Sequence, residues 1–374
     1  MNFISEEKIM EQIKQRSPYW DNIKGFLMLL TVLAHILYQL QDSYPAANRI
    51  VDYIYMFHMP AFVFVSGYFG KSERSAGAPA IIRLIFLYFI FNSATGLILG
   101  FDSLLEPLYS YWYLLALVVW RLSARHIAKF RGISIVLFVI AVFAGFFSTI
   151  DNTLAAARII AFYPYYMLGY KLPFEKGDSI IGTKYGKRLI SGAAVLAGAG
   201  VLAYFSYWCF NYSDRMLLMY GYENNFDALG RMALIIIACL AVYALVNICP
   251  NKKIPLLSMF GRNSLWIFLL HRPFTIVFSK LLNDRGQGVV VILSVAGAVA
   301  LCIVLGNGFV AKHLNRFAES GTAIFTGEQT KKFTVAKLAI IVVAVGFIVS
   351  VIAEAFFGIT LADTVDAVKD RIFG

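Results

Sequence analysis

Three histidines occupy positions that a soluble protein rarely gives them. His35, His58 and His271 lie inside long apolar runs, eleven residues past Lys24, nine past Arg49 and nine past Arg262. At the helical rise those offsets are about 16, 14 and 14 Å, roughly half of a ~30 Å hydrocarbon core. Ionisable side chains are costly at that depth and mark functional sites by default. An imidazole there has usable chemistry, since it can take a proton from a hydroxyl and return it near neutral pH. Each histidine alone has a plain alternative, a hydrogen bond between helices. Three on one layer, from three separate runs, point to a polar cavity at the midplane.

A second group of residues surrounds that layer. Arg158, in RIIAFYPYYMLGYKL, stands inside a run whose middle is broken by Pro164. Its guanidinium stays charged, so it needs a carboxylate, a carbonyl or a substrate group, and Asp151 is the nearest carboxylate in sequence. Lys24 and Asp21 open the run that holds His35, and Arg83 lies at the rim of the third run. Trp112 and Tyr113, within SYWYLLALVVWRL, suit an aromatic interface belt or a platform for sugar rings. The polar stretch 211–227, with Tyr222 and Asp227 and followed by Arg231, has the composition of a lid or acceptor-binding loop.

The elements that must hold these residues are membrane helices. The chain is 59% hydrophobic and 15% charged over 374 residues, far from the ~25% charge of globular domains. Apolar runs near 22–41, 50–70, 80–100, 108–122, 132–150, 154–171, 189–209, 229–249, 255–279, 288–310 and 335–357 predict an all-α polytopic bundle of about eleven transmembrane helices. Residues 1–18 read as a cytoplasmic segment before an uncleaved anchor, 19–315 as the membrane domain, and 316–374 as an inner loop, an added helix and a short outer tail. Alternate loops collect most of the 33 lysines and arginines, while the others hold acids such as Asp102, Glu106 and Asp214. That pattern predicts a multi-pass plasma-membrane protein with its N-terminus cytoplasmic and its C-terminus outside. The net charge of +11 is therefore topology and not nucleic-acid affinity. Cys209, Cys239, Cys249 and Cys302 have no metal-ligand spacing and read as packing residues. No Walker loop, G-x-S-x-G elbow or HExxH is present, so catalysis would have to occur inside the bundle.

The stretch WDNIKGFLMLLTVLAH resembles the first-span signature of the membrane acyltransferase-3 family, a basic residue and a histidine separated by ten residues, here Lys24 and His35. FHMPAFVFVSGYF, WYLLALVVWRL, RIIAFYPYYMLGY and GRNSLWIFLLH resemble later blocks of that family in order, and their wording is closest to its fucose 4-O-acetylase-like branch. The resemblance spans about residues 18–310 and implies a ten-helix acyl-transfer domain with one further helix. It implies transfer of an acyl group, usually acetyl, from cytoplasmic acyl-coenzyme A to a hydroxyl of an extracytoplasmic carbohydrate or envelope glycan. His35 would be the catalytic residue and Lys24 its basic partner, while Arg83 and Arg158 match arginines of the third and sixth spans. The Arg-x-x-Arg pair that some relatives carry near span three is absent here. With that expectation, Lys24, Arg83, Lys71 and Arg262 become the dock for the coenzyme phosphates. Arg158, His58, His271 and Asp21 become candidates to orient His35 or stabilise an oxyanion. Trp112, Tyr113 and Tyr222 become candidates for the acceptor, and no metal is expected. A proton-coupled carrier of a polar solute is the alternative use of the same midplane.

Overall fold

The computed structural model describes residues 17–99, 107–174, 183–210, 218, 221–224, 226–282 and 285–326. Among them the regular structure is helical throughout. The first half consists of α1 (Pro18–Tyr38), α2 (Pro45–Tyr55), α3 (His58–Gly70), α4 (Glu73–Ala76), α5 (Ala78–Leu99), α6 (Trp112–Ile127) and α7 (Ile133–Phe143). The second half consists of α8 (Ala156–Lys171), α9 (Tyr185–Phe210), α10 (Asp227–Ile248), α11 (Pro255–Arg262), α12 (Ser264–Lys280), α13 (Gln287–Leu305) and α14 (Gly308–Thr326). Six segments are long and apolar enough to cross a membrane: α1, α2 with α3, α5, α9, α10 and α13. The other predicted runs up to residue 279 form shorter or interrupted helices, α6, α7, α8 and the pair α11–α12. The chain is a polytopic helical membrane protein. The predicted run 335–357 and most of the stretch 211–227 lie outside the described residues.

One predicted loop is a helix. Residues between the runs 288–310 and 335–357 were expected to form an inner loop, yet Ala311, Leu314, Phe317 and Ala318 recur at helical spacing and turn inward. Lys312, Arg316 and Glu319 stay exposed. Phe317 meets Phe86 of α5 with ring centroids 5.5 Å apart. An amphipathic stripe of this kind is helical whenever a partner covers it. The domain limit expected at 315 falls inside this helix.

One of the long runs breaks at its histidine, and another carries a proline two residues past its own. Pro60 has no N–H to return to the Met56 carbonyl, and the run parts there into α2 and α3, with Phe57 outside helical geometry. His58 Nδ1 then donates to the Ile54 carbonyl across the break, 2.9 Å. In α12, Pro273 likewise leaves the Leu269 carbonyl without its helical partner, and the Tyr111 hydroxyl donates to it at 2.9 Å. Freed backbone groups inside a membrane bundle require such neighbours.

α1 is the central post of the bundle. It packs against α2, α3, α11, α12 and α13, and buries residues on every side. Its contact with α11 is backbone to backbone: a Cβ at Gly25 would meet the Leu257 carbonyl, and one at Gly261 would meet the Asp21 carbonyl. The same reciprocal device joins α3 to α8, where Gly67 faces the Tyr166 carbonyl and Gly169 the Phe64 carbonyl. Small residues that admit close approach are the main packing resource of membrane helices. Valine at Gly261 or Gly67 is therefore expected to lower stability by about 1–3 kcal/mol, the usual cost of overpacking. Alanine at Gly198, which meets nothing within 4 Å, should leave it unchanged. Thermal unfolding of the detergent-solubilised variants checks both expectations.

Candidate active site

The tight approach of α11 to α1 brings the next helix, α12, alongside the second half of α1, and two predicted histidines meet. His35 Nδ1 lies 2.7 Å from His271 Nε2. The other nitrogen of His271, Nδ1, faces the carbonyls of Ile267 and Phe268 at 3.0 and 2.8 Å. Carbonyls only accept, so His271 Nδ1 carries the hydrogen, and in the neutral ring Nε2 holds the lone pair. His35 Nδ1 must then be the donor between the rings, which leaves His35 Nε2 unprotonated. The helix backbone of α12 thus fixes which nitrogen of His35 can act as a base.

His58 joins the same layer by a different route. Its ring stacks on Tyr55, with centroids 5.1 Å apart, and Tyr55 stands edge-on to His35 at 6.4 Å. His58 and His271 are sealed from solvent, whereas His35 keeps partial exposure. The convergence predicted from depth alone is present, with unequal roles: one accessible ring and two buried supports.

A cavity of about 360 Å³ lies between α1, α3, α5, α6 and α12, with none of the three histidines on its wall. Lys24, Arg83 and Arg121 line it together with apolar residues that include Met59, Phe62 and Phe268. Thr31, also on its wall, is one helical turn before His35, and Phe268 lies with its ring 6.1 Å from that of His271. The cations are only partly engaged by protein. Arg83 donates to Asn315 Oδ1 at 2.8 Å and Arg121 to the Ser75 carbonyl at 3.2 Å, while both Nε groups are buried without a hydrogen-bond partner. Lys24 pairs with Asp21 at 3.0 Å and sits over the Phe69 ring. Buried donors left over at the wall of a cavity suit an anionic ligand.

Other predicted residues stand elsewhere. Asp21 is the partner of Lys24, fourteen positions from His35 and so about 21 Å along the helix axis. It does not reach the histidine layer. Lys71 donates to the Leu172 carbonyl at the end of α8 and lies between the Tyr68 and Phe174 rings, away from the cavity. Arg262 is exposed, and its Nε donates back to the Ser258 carbonyl of its own helix. Tyr113 lines the cavity together with the three cations and shares a 2.5 Å hydrogen bond with Ser66. Tyr222 donates its hydroxyl to the Val142 carbonyl at 2.7 Å and packs beneath Arg231, so it ties its loop to α7.

At the opposite side of the histidine layer stands Arg158, buried, held by Asn152 and lying 4.9 Å from the Trp112 ring centroid. The predicted partner Asp151 instead accepts the Thr153 N–H at 2.8 Å, a bond that keeps its carboxyl below the usual range. Beside His271 lies a residue that sequence reasoning passed over. Arg272 is 5% exposed and its guanidinium sits 4.3 Å from the centroid of Tyr109. Its depth, ten residues past Arg262, was available from the same count that located His271. Among the described residues no group of three or more His, Cys, Asp or Glu side chains could hold a metal ion.

The family model described as the acyltransferase domain matches residues 17–307. The chain belongs to the acyltransferase-3 family. The matched residues run from the start of α1 to the end of α13, so they contain the histidine pair and all three cavity cations. Relatives of this acyltransferase-3 chain include two proteins named nodulation protein NolL. That of Sinorhizobium fredii (strain NBRC 101917 / NGR234) is 27% identical over 181 residues, 41% of this chain and 48% of the relative. That of Mesorhizobium japonicum (strain LMG 29417 / CECT 9101 / MAFF 303099) is 27% identical over 179 residues, 41% and 47%. The chain spans about half the length of the curated relatives it matches. No solved structure matches it.

The tautomer assignment is directly measurable. In protein labelled with nitrogen-15 histidine, His35 and His271 are both expected to carry their hydrogen on Nδ1. Replacing His271 with alanine should release His35 to a mixture of tautomers, and an Nε2-protonated His35 in the native protein would contradict the arrangement.

Proposed function

We propose that this protein is a membrane O-acyltransferase that takes an acyl group, acetyl in the simplest case, from acyl-coenzyme A and passes it to a hydroxyl of a carbohydrate on the other side of the membrane. The observation that carries the reading is the His35–His271 pair beside a cavity whose wall holds Lys24, Arg83 and Arg121. The loop charge supports a cytoplasmic position for that cationic side, where acyl-coenzyme A is found. In this reading the coenzyme phosphates meet the three cations, and the apolar wall at Met59, Phe62 and Phe268 receives the pantetheine arm and thioester.

The acceptor hydroxyl approaches from the side of Trp112 and Arg158. His35 Nε2 takes its proton as the hydroxyl oxygen attacks the thioester carbonyl carbon. The tetrahedral intermediate collapses with cleavage of the carbon–sulfur bond, and the departing thiolate recovers the proton from the His35 imidazolium. The products are the ester and free coenzyme A. His271 does not touch the reactants in this scheme. It is a positioning residue that keeps the hydrogen on His35 Nδ1 and shares the positive charge while His35 is protonated.

The decisive assay supplies labelled acetyl-coenzyme A to inverted membrane vesicles and follows label into glycan. His35→Ala is expected to reduce transfer by about 10²–10⁴-fold, the usual worth of a positioned acid–base group. Undiminished transfer in that variant would sink the catalytic role, and solute uptake without transfer would put the carrier reading in its place. Arg83→Ala and Arg121→Ala are each expected to raise KM for acetyl-coenzyme A roughly tenfold or more, as loss of a charged hydrogen bond does, with kcat little changed. His271→Gln should show the reverse split, a lower kcat at nearly constant KM.

A further inference from the structure

Arg272 has no role in the scheme above, and its surroundings are unusual. It is 95% buried by its 5% exposure, on the helix that presents His271. No carboxylate, carbonyl or hydroxyl among the described residues accepts from it, and its Nε is buried without a partner. The side chains within its electrostatic reach are tyrosines, Tyr55, Tyr109, Tyr38 and Tyr111, and it also acts on His35 and His271. An isolated buried guanidinium is costly, and it stays charged at any relevant pH. A π-face is a weak substitute for a counter-ion.

The geometry gives access to it from one side. Tyr109, whose ring covers the guanidinium, is 39% exposed and belongs to the short segment that leads into α6. Its backbone has φ of 48°, a left-handed conformation that is uncommon and strained for a bulky side chain. Arg272 and Tyr109 are absent from the wall of the cavity that holds Lys24, Arg83 and Arg121. The guanidinium therefore lies off that cavity wall, one residue past His271 along α12 from the turn that lines it, under a partly exposed aromatic cover.

We propose that Arg272 receives an anionic group of the acceptor, a carboxylate or a phosphate carried close to the hydroxyl that becomes acylated. The inference rests on the acyl-transfer reading and narrows its substrate class from carbohydrates in general to acidic ones. The anion displaces the Tyr109 ring from the guanidinium, and the charge pair then holds the neighbouring hydroxyl toward His35 Nε2. Arg272 acts as a specificity residue, and the planar fork of its guanidinium suits either oxyanion.

Binding can be read without knowing the natural acceptor. Purified full-length protein in nanodiscs, with its donor cations saturated by coenzyme A, is titrated with glucose, glucuronate and glucose 6-phosphate while intrinsic fluorescence is followed. At least one acid is expected to bind roughly tenfold or more tighter than glucose. Arg272→Gln should erase that preference and leave glucose binding unchanged, and Arg272→Lys should retain part of it. A preference for carboxylate over phosphate, or the reverse, identifies which acid the site takes. Equal binding of all three by the wild type overturns the proposal, as does an acid preference that survives Arg272→Gln. Should that variant fail to fold, Tyr109→Ala uncovers the same guanidinium without removing it, and is expected to keep or enlarge the preference; loss of the preference there also overturns the proposal. The vesicle transfer assay with His35→Ala reports separately on acyl transfer, so a neutral acceptor and a failed acyltransferase give different results.

Discussion

A histidine buried among helices is useful as a base only if one of its nitrogens is kept free of hydrogen, and here a stretch of helix backbone imposes that condition. The Ile267 and Phe268 carbonyls take the hydrogen of His271 Nδ1. The lone pair this leaves on His271 Nε2 claims the hydrogen of His35 Nδ1. Two carbonyls of one turn of α12 therefore set the protonation pattern two rings away. Everything else in the bundle serves that register. The contact requires α1 and α12 at a fixed distance and phase, and the mutual glycine contacts of α1 with α11, immediately before α12, hold the spacing. A helix pair spaced by flexible side chains would let the rings slide apart, and the tautomer would no longer be determined.

Prolines have a constructive part in this arrangement. Each removes a backbone N–H, and beside each a side chain from the polar layer or its border bonds a nearby backbone carbonyl. Tyr111 reaches the Leu269 carbonyl ahead of Pro273, and His58 bonds across the break that Pro60 opens. The same substitutions that weaken the helices thus recruit aromatic and imidazole groups to the midplane. In a bilayer, where water is unavailable to satisfy such groups, this is a direct route from a helix irregularity to a polar pocket.

Much of this was legible in the residue order. Helical periodicity and loop charge gave the membrane architecture, and simple counting of rise placed His35, His58 and His271 in one layer, because depth along a helix is a one-dimensional quantity. Azimuth is not. Asp21 is a separate case, since the fourteen residues of helix between it and His35 are a matter of depth and not of azimuth. Lys71 looked like a rim cation by position, whereas the direction of its side chain sends it to the Leu172 carbonyl and two aromatic rings. Tyr113 and Trp112 are adjacent in sequence but turned about 100° apart on the helix, so Tyr113 lines the cavity while Trp112 meets Arg158. Arg272, one residue past His271 on the same helix, is equally deep and was as legible by the same count. The amphipathic helix α14 was missed because its many charges resemble a loop until its inward residues are counted at helical spacing.

That last helix has a consequence for where the working unit ends. The family match stops at residue 307, and α14 begins one residue later. Asn315, in the middle of α14, places its Oδ1 between two donors, Arg83 at 2.8 Å and the Trp266 indole at 3.2 Å. One amide oxygen thereby fastens a cavity cation of α5 to the start of the helix that carries His271. The family boundary is consequently not a mechanical boundary. Residues outside the matched span thus hold a cation of the cavity wall, and insertion, loss or exchange of this helix would shift that cation while leaving every matched residue in place.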